Sequence, residues 1–295
     1  MTDFAHALLQ EDQPYSPQNL TTAGKMGRLL MESGKIKTTD LENIISFQKK
    51  HQLKFGEAAV TLGLVTPEDI RKALAQQFSY PAIPAANSKL DPSLVAAFQP
   101  ESRTAEALRG LRSELILRYF NNGEHLSLPL VGTEDSLSLA RTTANLAIVF
   151  AQMGLQTLLI DSNMRDPKLH TLFGIHNCPG LSDIIAGRTG FSTQVIDTFP
   201  TLSLLHAGTL APNPQELLSG NSYRSYMEKI TRAYDVTLIC TSPIDQYMDA
   251  QLVAAQAGAA LLVVKEHQTR IKALEKVCNR LHSVDVRLLG VALTA

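Results

Sequence analysis

The chain of 295 residues is 44% apolar and has a formal net charge of -1. This length and apolar content suffice for one large and one small domain, each with a buried core. The near-zero charge excludes a general attraction to nucleic acid or anionic lipid. Cys178, Cys240 and Cys278 lack metal-ligand or disulfide spacing, which indicates a reduced cytoplasmic protein without a metal site. The longest apolar run, Leu252 to Val264, is too short to cross a bilayer, so we expect no direct membrane insertion.

The pattern of composition along the chain predicts four segments. Residues 1–20 are polar and interrupted by prolines, and we expect no fixed structure there. Residues 21–82 contain an internal repeat and are expected to form a small helical domain. Residues 83–103 are rich in proline, alanine and serine and are expected to be a linker with at most one short helix. Residues 104–295 form the larger predicted domain.

The repeat has a constant offset of 29 positions, as from Lys25 to Lys54. The matched positions of the first copy are Lys25, Met26, Gly27, Leu30, Gly34, Leu41, Ile45 and Gln48, and those of the second are Lys54, Phe55, Gly56, Ala59, Gly63, Ile70, Leu74 and Gln77. Constant spacing over so many positions indicates two copies of one supersecondary unit packed against each other. The second helix is expected to begin near Thr39 in the first copy and at Thr66 in the second. Thr66 is a residue type favoured at the N-cap, and Pro67 follows it at the first helical position.

This repeated block resembles the N-terminal domain of type II secretion and type IV pilus assembly ATPases. There, two 24-residue motifs begin Arg-Leu-Gly, end in Gln and are separated by five residues, a length and gap that residues 25–48 and 54–77 reproduce. Some members of that family bind cyclic di-GMP, and the resemblance implies a site for it here. The implied ligand residues are Lys25, Gly27, Gln48, Lys54, Gly56 and Gln77. Lysine replaces arginine in both motifs. It lacks the planar guanidinium that can form two hydrogen bonds to a guanine edge or stack on the base. The alternative is a helical docking module whose lysines are solvated.

From residue 104 onward, apolar runs alternate with helix-length amphipathic stretches. The runs expected to form strands are Ser127–Gly132, Thr157–Asp161, Leu202–Ala207, Val236–Thr241, Ala259–Val264 and Leu288–Leu293. This alternation predicts the doubly wound α/β class, with a mostly parallel sheet covered by helices on both faces. Ligands of such sheets bind at the carboxyl ends of the strands. The strand, turn and helix pattern of residues 128–150 places the expected nucleotide site at the first of these ends.

Five segments of the larger domain carry a family resemblance. They are Glu106–Leu115, Ala144–Gly154, Leu158–Pro167, Gly180–Gly187 and Gly208–Leu218. They resemble the cytoplasmic tyrosine autokinases that regulate bacterial polysaccharide chain length, including the soluble kinase components of exopolysaccharide loci. The resemblance implies a P-loop fold of the deviant Walker type, with ATP and Mg²⁺ as the family's cofactors.

The first nucleotide-binding motif departs from that family. Its Gly-Glu-Gly-Lys-Ser falls on residues 136–140, so Leu139 replaces the phosphate-binding lysine and Ala140 the magnesium-binding hydroxyl. A nest of phosphate-binding amides needs backbone angles that cost residues other than glycine about 1–2 kcal/mol each. The residues left to contact a nucleotide, if one binds, are Ser136, Ser138, Arg141 and Thr142. Arg141 is the only cation near the turn, and its alternative role is that of a solvated first-turn residue.

The second and third motifs are altered as well. The family's Asp-x-Asp-x-Arg reads Asp161, Asn163 and Arg165, so one carboxylate and the arginine are retained. Asn163 brings no negative charge to a dication and cannot act as a general base. The family's third motif is a hydrophobic strand that ends in Asp-Thr-Pro-Pro, and here it ends in Cys-Thr-Ser-Pro at residues 240–243. Cys240 thus replaces the acid, and a soft thiolate is a poor ligand for Mg²⁺. We therefore assign no catalytic residue, and we expect ATP and Mg²⁺ to have been lost as cofactors.

One functional motif is intact. Glu106, Arg109 and Arg112 follow i, i+3, i+6 spacing on a predicted helix and form one charged stripe. In the resembling kinases this stripe mediates ring assembly, which implies oligomerisation here. On spacing alone, a local ion pair is the alternative explanation.

These features predict a catalytically impaired, kinase-like regulator of exopolysaccharide chain length and export that senses cyclic di-GMP. We expect it in the cytoplasm, held at the inner face of the membrane by a partner. The expected partners are a membrane chain-length determinant protein, an active kinase homologue, or further copies in a homo- or hetero-oligomer, and not nucleic acid. Two alternatives stay open: an active ATP-dependent tyrosine autokinase, and a spatial regulator of the partitioning-ATPase type.

Overall fold

The computed structural model describes residues 24–70, 73, 88–122, 127–133, 135–176 and 178–294, without the side chains of residues 24, 25 and 122. The chain forms two compact units, one within residues 1–80 and the other within residues 81–295. The helices of the first unit are α1 (Gly24–Glu32), α2 (Thr38–His51) and α3 (Phe55–Thr61), and residues 67–70 are also helical.

The two sequence repeats have equivalent backbone geometry. Gly34 and Gly63 follow α1 and α3 with φ angles of 69° and 68°, a left-handed conformation that glycine adopts without a Cβ penalty. The amide of Gly34 donates to the carbonyl of Met31, and the amide of Gly63 to that of Val60, each at 2.9 Å. The repeated glycine therefore ends the first helix of each copy by the same hydrogen-bonded turn.

The start of the second helix is also repeated. Asp40 accepts a hydrogen bond from the amide of Lys37 at 2.8 Å, and Asp69 accepts one from the amide of Thr66 at 3.0 Å. Oγ1 of Thr66 in turn accepts a hydrogen bond from the amide of Asp69 at 3.1 Å, which completes the predicted cap. Lys35 of the first copy forms a 2.9 Å ion pair with Asp69 of the second. The pKa of Asp69 lies well below its usual range because the Thr66 amide and Lys35 bind its carboxylate.

The second unit is a seven-stranded sheet with helices on both faces. Its strands are β1 (Ser127–Gly132), β2 (Thr157–Asp161), β3 (Gln194–Ile196), β4 (Phe199–Leu205), β5 (Val236–Cys240), β6 (Ala259–Lys265) and β7 (Arg287–Thr294). Its α-helices are α4 (Val95–Phe98), α5 (Arg103–Arg118), α6 (Ser136–Ala151), α7 (Leu169–Leu172), α8 (Leu181–Ile185), α9 (Pro214–Ser219), α10 (Asn221–Ile230), α11 (Asp249–Ala257) and α12 (Ile271–His282). Short 3-10 turns occupy Phe120–Asn122 and Thr231–Ala233.

The strand order is β3-β4-β2-β5-β1-β6-β7, and every pair is parallel except β3 with β4. The doubly wound, mostly parallel α/β prediction is thereby confirmed. The short antiparallel strand β3 was not predicted. Alternate residues of the strands face opposite sides: Leu159 packs in the cluster that contains α6, whereas Leu158 and Ile160 pack with α8 and α10. Burial on both faces explains why the strand sequences are continuously apolar.

Candidate functional site

Three neighbouring strands bring the predicted site residues to one edge of the sheet. The central order β2-β5-β1 places Asp161, Cys240 and Gly132 at the adjacent carboxyl ends of these strands. Asp161 and Cys240 are paired in register, and each is almost fully buried. The three altered motifs thus form one cluster, as expected for the ligand-binding edge of a doubly wound sheet.

The turn that enters α6 is closed by a carboxylate from the chain itself. Asp135 is the N-cap of α6, and its Oδ1 accepts hydrogen bonds from the amides of Leu137 and Ser138, both at 3.0 Å. The hydrogen bond from Ser138 is the main cause that lowers the pKa of Asp135. Amides at a helix N-terminus are the groups that would bind a phosphate. Here two of these amides already hold an anion.

Leu139, which occupies the position of the phosphate lysine, lies in the protein core. Its side chain is fully buried, and a Cβ placed on Gly132 would lie 3.6 Å from its Cδ1. Ala140 is also buried, whereas Leu137 is 38% exposed. No positive charge from Leu139 or hydroxyl from Ala140 is available at this turn.

Asn163 connects the second motif to the first. Its Nδ2 donates to Oγ of Ser136 at 3.0 Å and to the carbonyl of Asp166 at 2.9 Å. Its Oδ1 accepts from the amide of Asp166 at 3.1 Å. Both ends of the carboxamide therefore have hydrogen-bond partners in the chain, which fixes the orientation of this side chain.

Asp161 organises the segment that follows β2. Its Oδ1 accepts from the amide of Asn163 at 3.1 Å, and its Oδ2 accepts from the amides of Lys168 and Leu169 at 3.2 and 3.1 Å. Burial raises the pKa of Asp161 to about 7 despite these three hydrogen bonds. The retained carboxylate therefore has a structural role that does not require a nucleotide.

Cys240 replaces the third motif's acid with a buried, protonated thiol. Burial is the largest cause that raises its pKa well above the usual range, and the nearby Asp161 adds to it. The backbone carbonyl of Cys240 accepts from the amide and hydroxyl of Ser162 at 2.9 and 2.8 Å. This position links β5 to the end of β2 and offers no ligand for a hard cation.

Arg165 is held by Asp249, which begins α11. Its Nε and Nη2 contact the two carboxylate oxygens at 2.8 and 3.3 Å, and Asp249 is almost fully buried. The hydrogen bond to Asp249 is the main reason that the pKa of Arg165 is raised. Its guanidinium also lies 4.2 Å from the ring centroid of Tyr247. The retained arginine is thus neutralised within the chain.

The remaining nucleotide candidates also face the protein. Thr142 donates to the carbonyl of Ser138 at 3.1 Å, a bond within α6. Arg141 lies close enough to Asp91 to help lower the pKa of that carboxyl. The Nε atom of Arg141 is buried without a hydrogen-bond partner. The structure brings Ser136 and Asn163 together but directs Arg141 toward the segment before α4.

The charged stripe on α5 makes contacts inside its own unit. Arg109 forms a 2.7 Å ion pair with Glu106 and donates to the carbonyl of Pro100. Arg112 donates to the carbonyl of Val149 in α6 at 2.8 Å. Glu106, the acidic residue of the stripe, has a side chain that is 75% exposed. The local ion pair expected from spacing is present, and assembly through this stripe stays a prediction.

The implied cyclic di-GMP residues are only partly described. Gln77 and the side chain of Lys25 lie outside the described residues. Lys54 is exposed, Gln48 is partly exposed and Gly27 is buried. A Cβ on Gly56 would lie 3.0 Å from Cγ2 of Ile70, so close packing alone gives a reason for glycine at this position.

Two residues of the site were not identified from the sequence. Asp135 directly precedes the first helical residue, and aspartate is favoured at helix N-caps, so the sequence contained a signal that could have identified it. Asp249 lies 84 positions from Arg165, and its pairing could not be inferred from local spacing. Both residues supply internal negative charge at the sheet edge where the sequence predicts a nucleotide site.

Within the described ranges, no cluster of three or more histidine, cysteine or acidic residues could hold a metal ion. In the same part of the chain, no helix combines the length and apolar character needed to cross a membrane.

No family model matches the chain. CapB of Staphylococcus aureus, assigned as a tyrosine-protein kinase, is 31% identical over 198 residues, which cover 66% of this chain and 86% of CapB. EpsB of Ralstonia solanacearum, with the same assignment, is 28% identical over 300 residues and aligns with 94% of this chain. The chain spans only 40% of the length of EpsB. Among solved structures, the kinase domain of the Escherichia coli tyrosine kinase ETK is 29% identical, with a TM-score of 0.66 over 71% of this chain and 82% of that domain.

Proposed function

Because the chain belongs to the family of bacterial tyrosine-protein kinases, we propose that it is a catalytically impaired regulator in an exopolysaccharide chain-length and export system. It acts by assembling with a membrane co-polymerase or an active kinase homologue, at the inner face of the membrane. Its nucleotide site serves as a fixed structural element and not as a centre for phosphoryl transfer.

The observation that carries this proposal is that polar groups of the predicted nucleotide site are hydrogen-bonded to residues of the chain itself. Asp135 binds the two amides at the start of α6, Asn163 is bonded to Ser136, and Arg165 is bonded to Asp249. A nucleotide phosphate would have to displace one carboxylate while gaining no lysine to offset its charge. Loss of a single preorganised donor typically lowers an enzymatic rate by about 10²–10³. Loss of the lysine, the hydroxyl and the third-motif acid together therefore favours a regulatory role.

Binding of Mg-ATP tests the proposal directly. Isothermal titration calorimetry of the chain should show no saturable heat with Mg-ATP, while the kinase domain of an active relative binds in the same buffer. Saturable, Mg²⁺-dependent binding in the micromolar range would overturn the regulatory assignment and favour a residual kinase. Incubation with radiolabelled ATP should leave the chain unlabelled when no other kinase is present.

Assembly is the second part of the proposal. Family membership and the retained Glu106–Arg112 stripe support an oligomer with an active homologue or a membrane partner. Co-purification with a tagged active kinase, measured by mass photometry, tests it. A chain that stays monomeric at concentrations where the active kinase assembles contradicts this part.

Cyclic di-GMP sensing by the repeat unit is the third part, supported by the repeated motif and by the exposed Lys54. Gly56→Ala is a poor test because the new methyl group would meet Ile70. Lys54→Ala should instead reduce cyclic di-GMP binding, whereas Lys50→Ala, an exposed lysine between the two motifs, should leave it unchanged. Absence of binding to the unmodified chain removes this part and leaves the assembly proposal intact.

A further inference from the structure

We propose that β7 is a dimerisation edge, at which two copies of this chain join their sheets in antiparallel pairing about a two-fold axis. The contact uses neither the α5 stripe nor the altered nucleotide motifs, so it goes beyond the proposed function. The occupant of the edge is a second copy of the same chain.

The two edges of the seven-stranded sheet differ in how they are protected. β3, at one end of the strand order, has three residues, and its pairing with β4 shifts register between Val195 and Ile196. Short and irregular strands are a common means of preventing edge-to-edge pairing. β7, at the other end, has eight residues and pairs with β6 without interruption from Gly290 to Thr294. That stretch contains no charged residue and no proline, so it lacks the usual protection.

The backbone groups of Val291 and Leu293 point away from β6. The carbonyl of Thr294 accepts a hydrogen bond from the amide of Glu266 at 2.7 Å, so Thr294 faces β6. In a strand, the direction of the backbone groups alternates from one residue to the next. The amides and carbonyls of Leu293 and Val291 are therefore directed outward, where no described strand lies. A second strand could pair with these donors and acceptors.

The side chains of the same two residues are exposed and apolar. Val291 is 51% exposed and Leu293 is 68% exposed, and residues two positions apart lie on one face of a strand. Their in-register partners in β6, Leu262 and Val264, are buried in the cluster that contains residues of α12. The apolar layer on this face thus continues to the edge of the sheet and is uncovered there.

Charge and symmetry favour the antiparallel direction. Arg287, the first residue of β7, is the only charged residue of the strand. Parallel pairing would place the two copies of Arg287 side by side, and like charges directly opposite each other are destabilising. Antiparallel pairing places them at opposite ends of the ladder. It also has two-fold symmetry, so the assembly closes as a dimer in which both copies use the same surface.

The direction of the backbone groups fixes how the strands can align. With Ala292 at the two-fold axis, Val291 of each copy lies opposite Leu293 of the other, and each such pair exchanges both backbone hydrogen bonds. Residues opposite each other point to the same face, so the four aliphatic side chains form one cluster. Such cross-strand pairs are the unit that stabilises an antiparallel sheet.

The contact consists of one strand edge and two aliphatic side chains from each copy. Interfaces that bury less than about 1,200 Å² in total are typical of weak or transient complexes. The dimer should therefore exchange with the monomer in the micromolar range of concentration.

Sedimentation velocity of the full chain, from low to high micromolar concentration, tests the proposal. The sedimentation coefficient should rise from that of a monomer toward that of a dimer. Leu293→Lys places a charge on the edge and should keep the chain monomeric. Leu210→Lys, a loop position after β4 with a similar exposure of 70%, should dimerise like the unmodified chain. An unmodified chain that stays monomeric throughout the range overturns the proposal, and so does a Leu293→Lys variant that still dimerises.

Proline variants separate edge pairing from folding. Leu293→Pro removes an amide that points away from the sheet, which an edge strand tolerates, so the melting temperature should change little while the dimer is lost. Ala292→Pro removes an amide that faces β6 and should lower the melting temperature. Dimerisation of Leu293→Pro at the strength of the unmodified chain would contradict pairing through the backbone.

The two kinds of assembly can be told apart. Glu106→Ala should leave the β7 dimer intact, and Leu293→Lys should leave assembly with an active kinase intact. Loss of the β7 dimer in Glu106→Ala would assign self-association to the α5 stripe and contradict the β7 interface. The calorimetric test of the proposed function is independent of these results.

Discussion

Asn163 donates a hydrogen bond to Oγ of Ser136 at 3.0 Å, which joins the end of β2 to the start of α6. Both residues belong to segments that the sequence predicts to be nucleotide-binding motifs. In this chain they are bonded to each other. The contact exemplifies the site as a whole, in which groups that would bind a ligand are used to fix neighbouring segments.

Substitution of Asp135 by alanine should destabilise the chain by about 1 kcal/mol, since it removes the cap that satisfies two amides of α6. Asp135→Asn retains a carbonyl acceptor and should cost less. Urea unfolding of the three proteins measures the difference. An alanine variant as stable as the unmodified chain would show that the cap contributes nothing.

Restoring the phosphate lysine should not restore nucleotide binding. Leu139 is fully buried, so Leu139→Lys places an ammonium in the core and should lower the free energy of unfolding by several kcal/mol. Leu137→Lys adds the same charge at a 38% exposed position of the same turn and should be nearly neutral. Thermal unfolding compares the two variants, and Mg-ATP calorimetry should show no binding for either. A stable Leu139→Lys variant that binds ATP would contradict the proposal that the site is a fixed structural element.

Much of this fold is predictable from the sequence, because the central strands are buried on both faces and read as continuous apolar runs. Strand β3 was missed because it has three residues, of which Gln194 and Val195 are exposed. The replacement of the phosphate-binding lysine by Leu139 was evident in the sequence. The hydrogen bonds that Asn163 and Arg165 make within the chain were not predictable, because their partners Ser136 and Asp249 lie 27 and 84 positions away.

The stability of the chain should depend on the protonation of Asp161. Burial raises its folded-state pKa from 3.8 to about 7, so the folded state binds the proton more tightly than the unfolded state. The stabilising contribution is present below about pH 4 and is lost as the pH rises to about 7, with a slope of at most about 1.4 kcal/mol per pH unit. Urea unfolding between these pH values should show this loss, after subtraction of the profile of Asp161→Asn. Identical profiles for the two proteins would contradict the raised pKa.

Glu106 separates the two roles of the α5 stripe. Its side chain is 75% exposed, and its ion pair with Arg109 is of a kind that contributes only about 0–1 kcal/mol. Glu106→Ala should therefore leave the melting temperature nearly unchanged while it reduces assembly with an active kinase, measured by mass photometry. Arg112→Ala removes the bond to the carbonyl of Val149 and should lower the stability of the monomer. If Glu106→Ala assembles as well as the unmodified chain, the stripe serves the packing of α5 against α6 and not the contact between subunits.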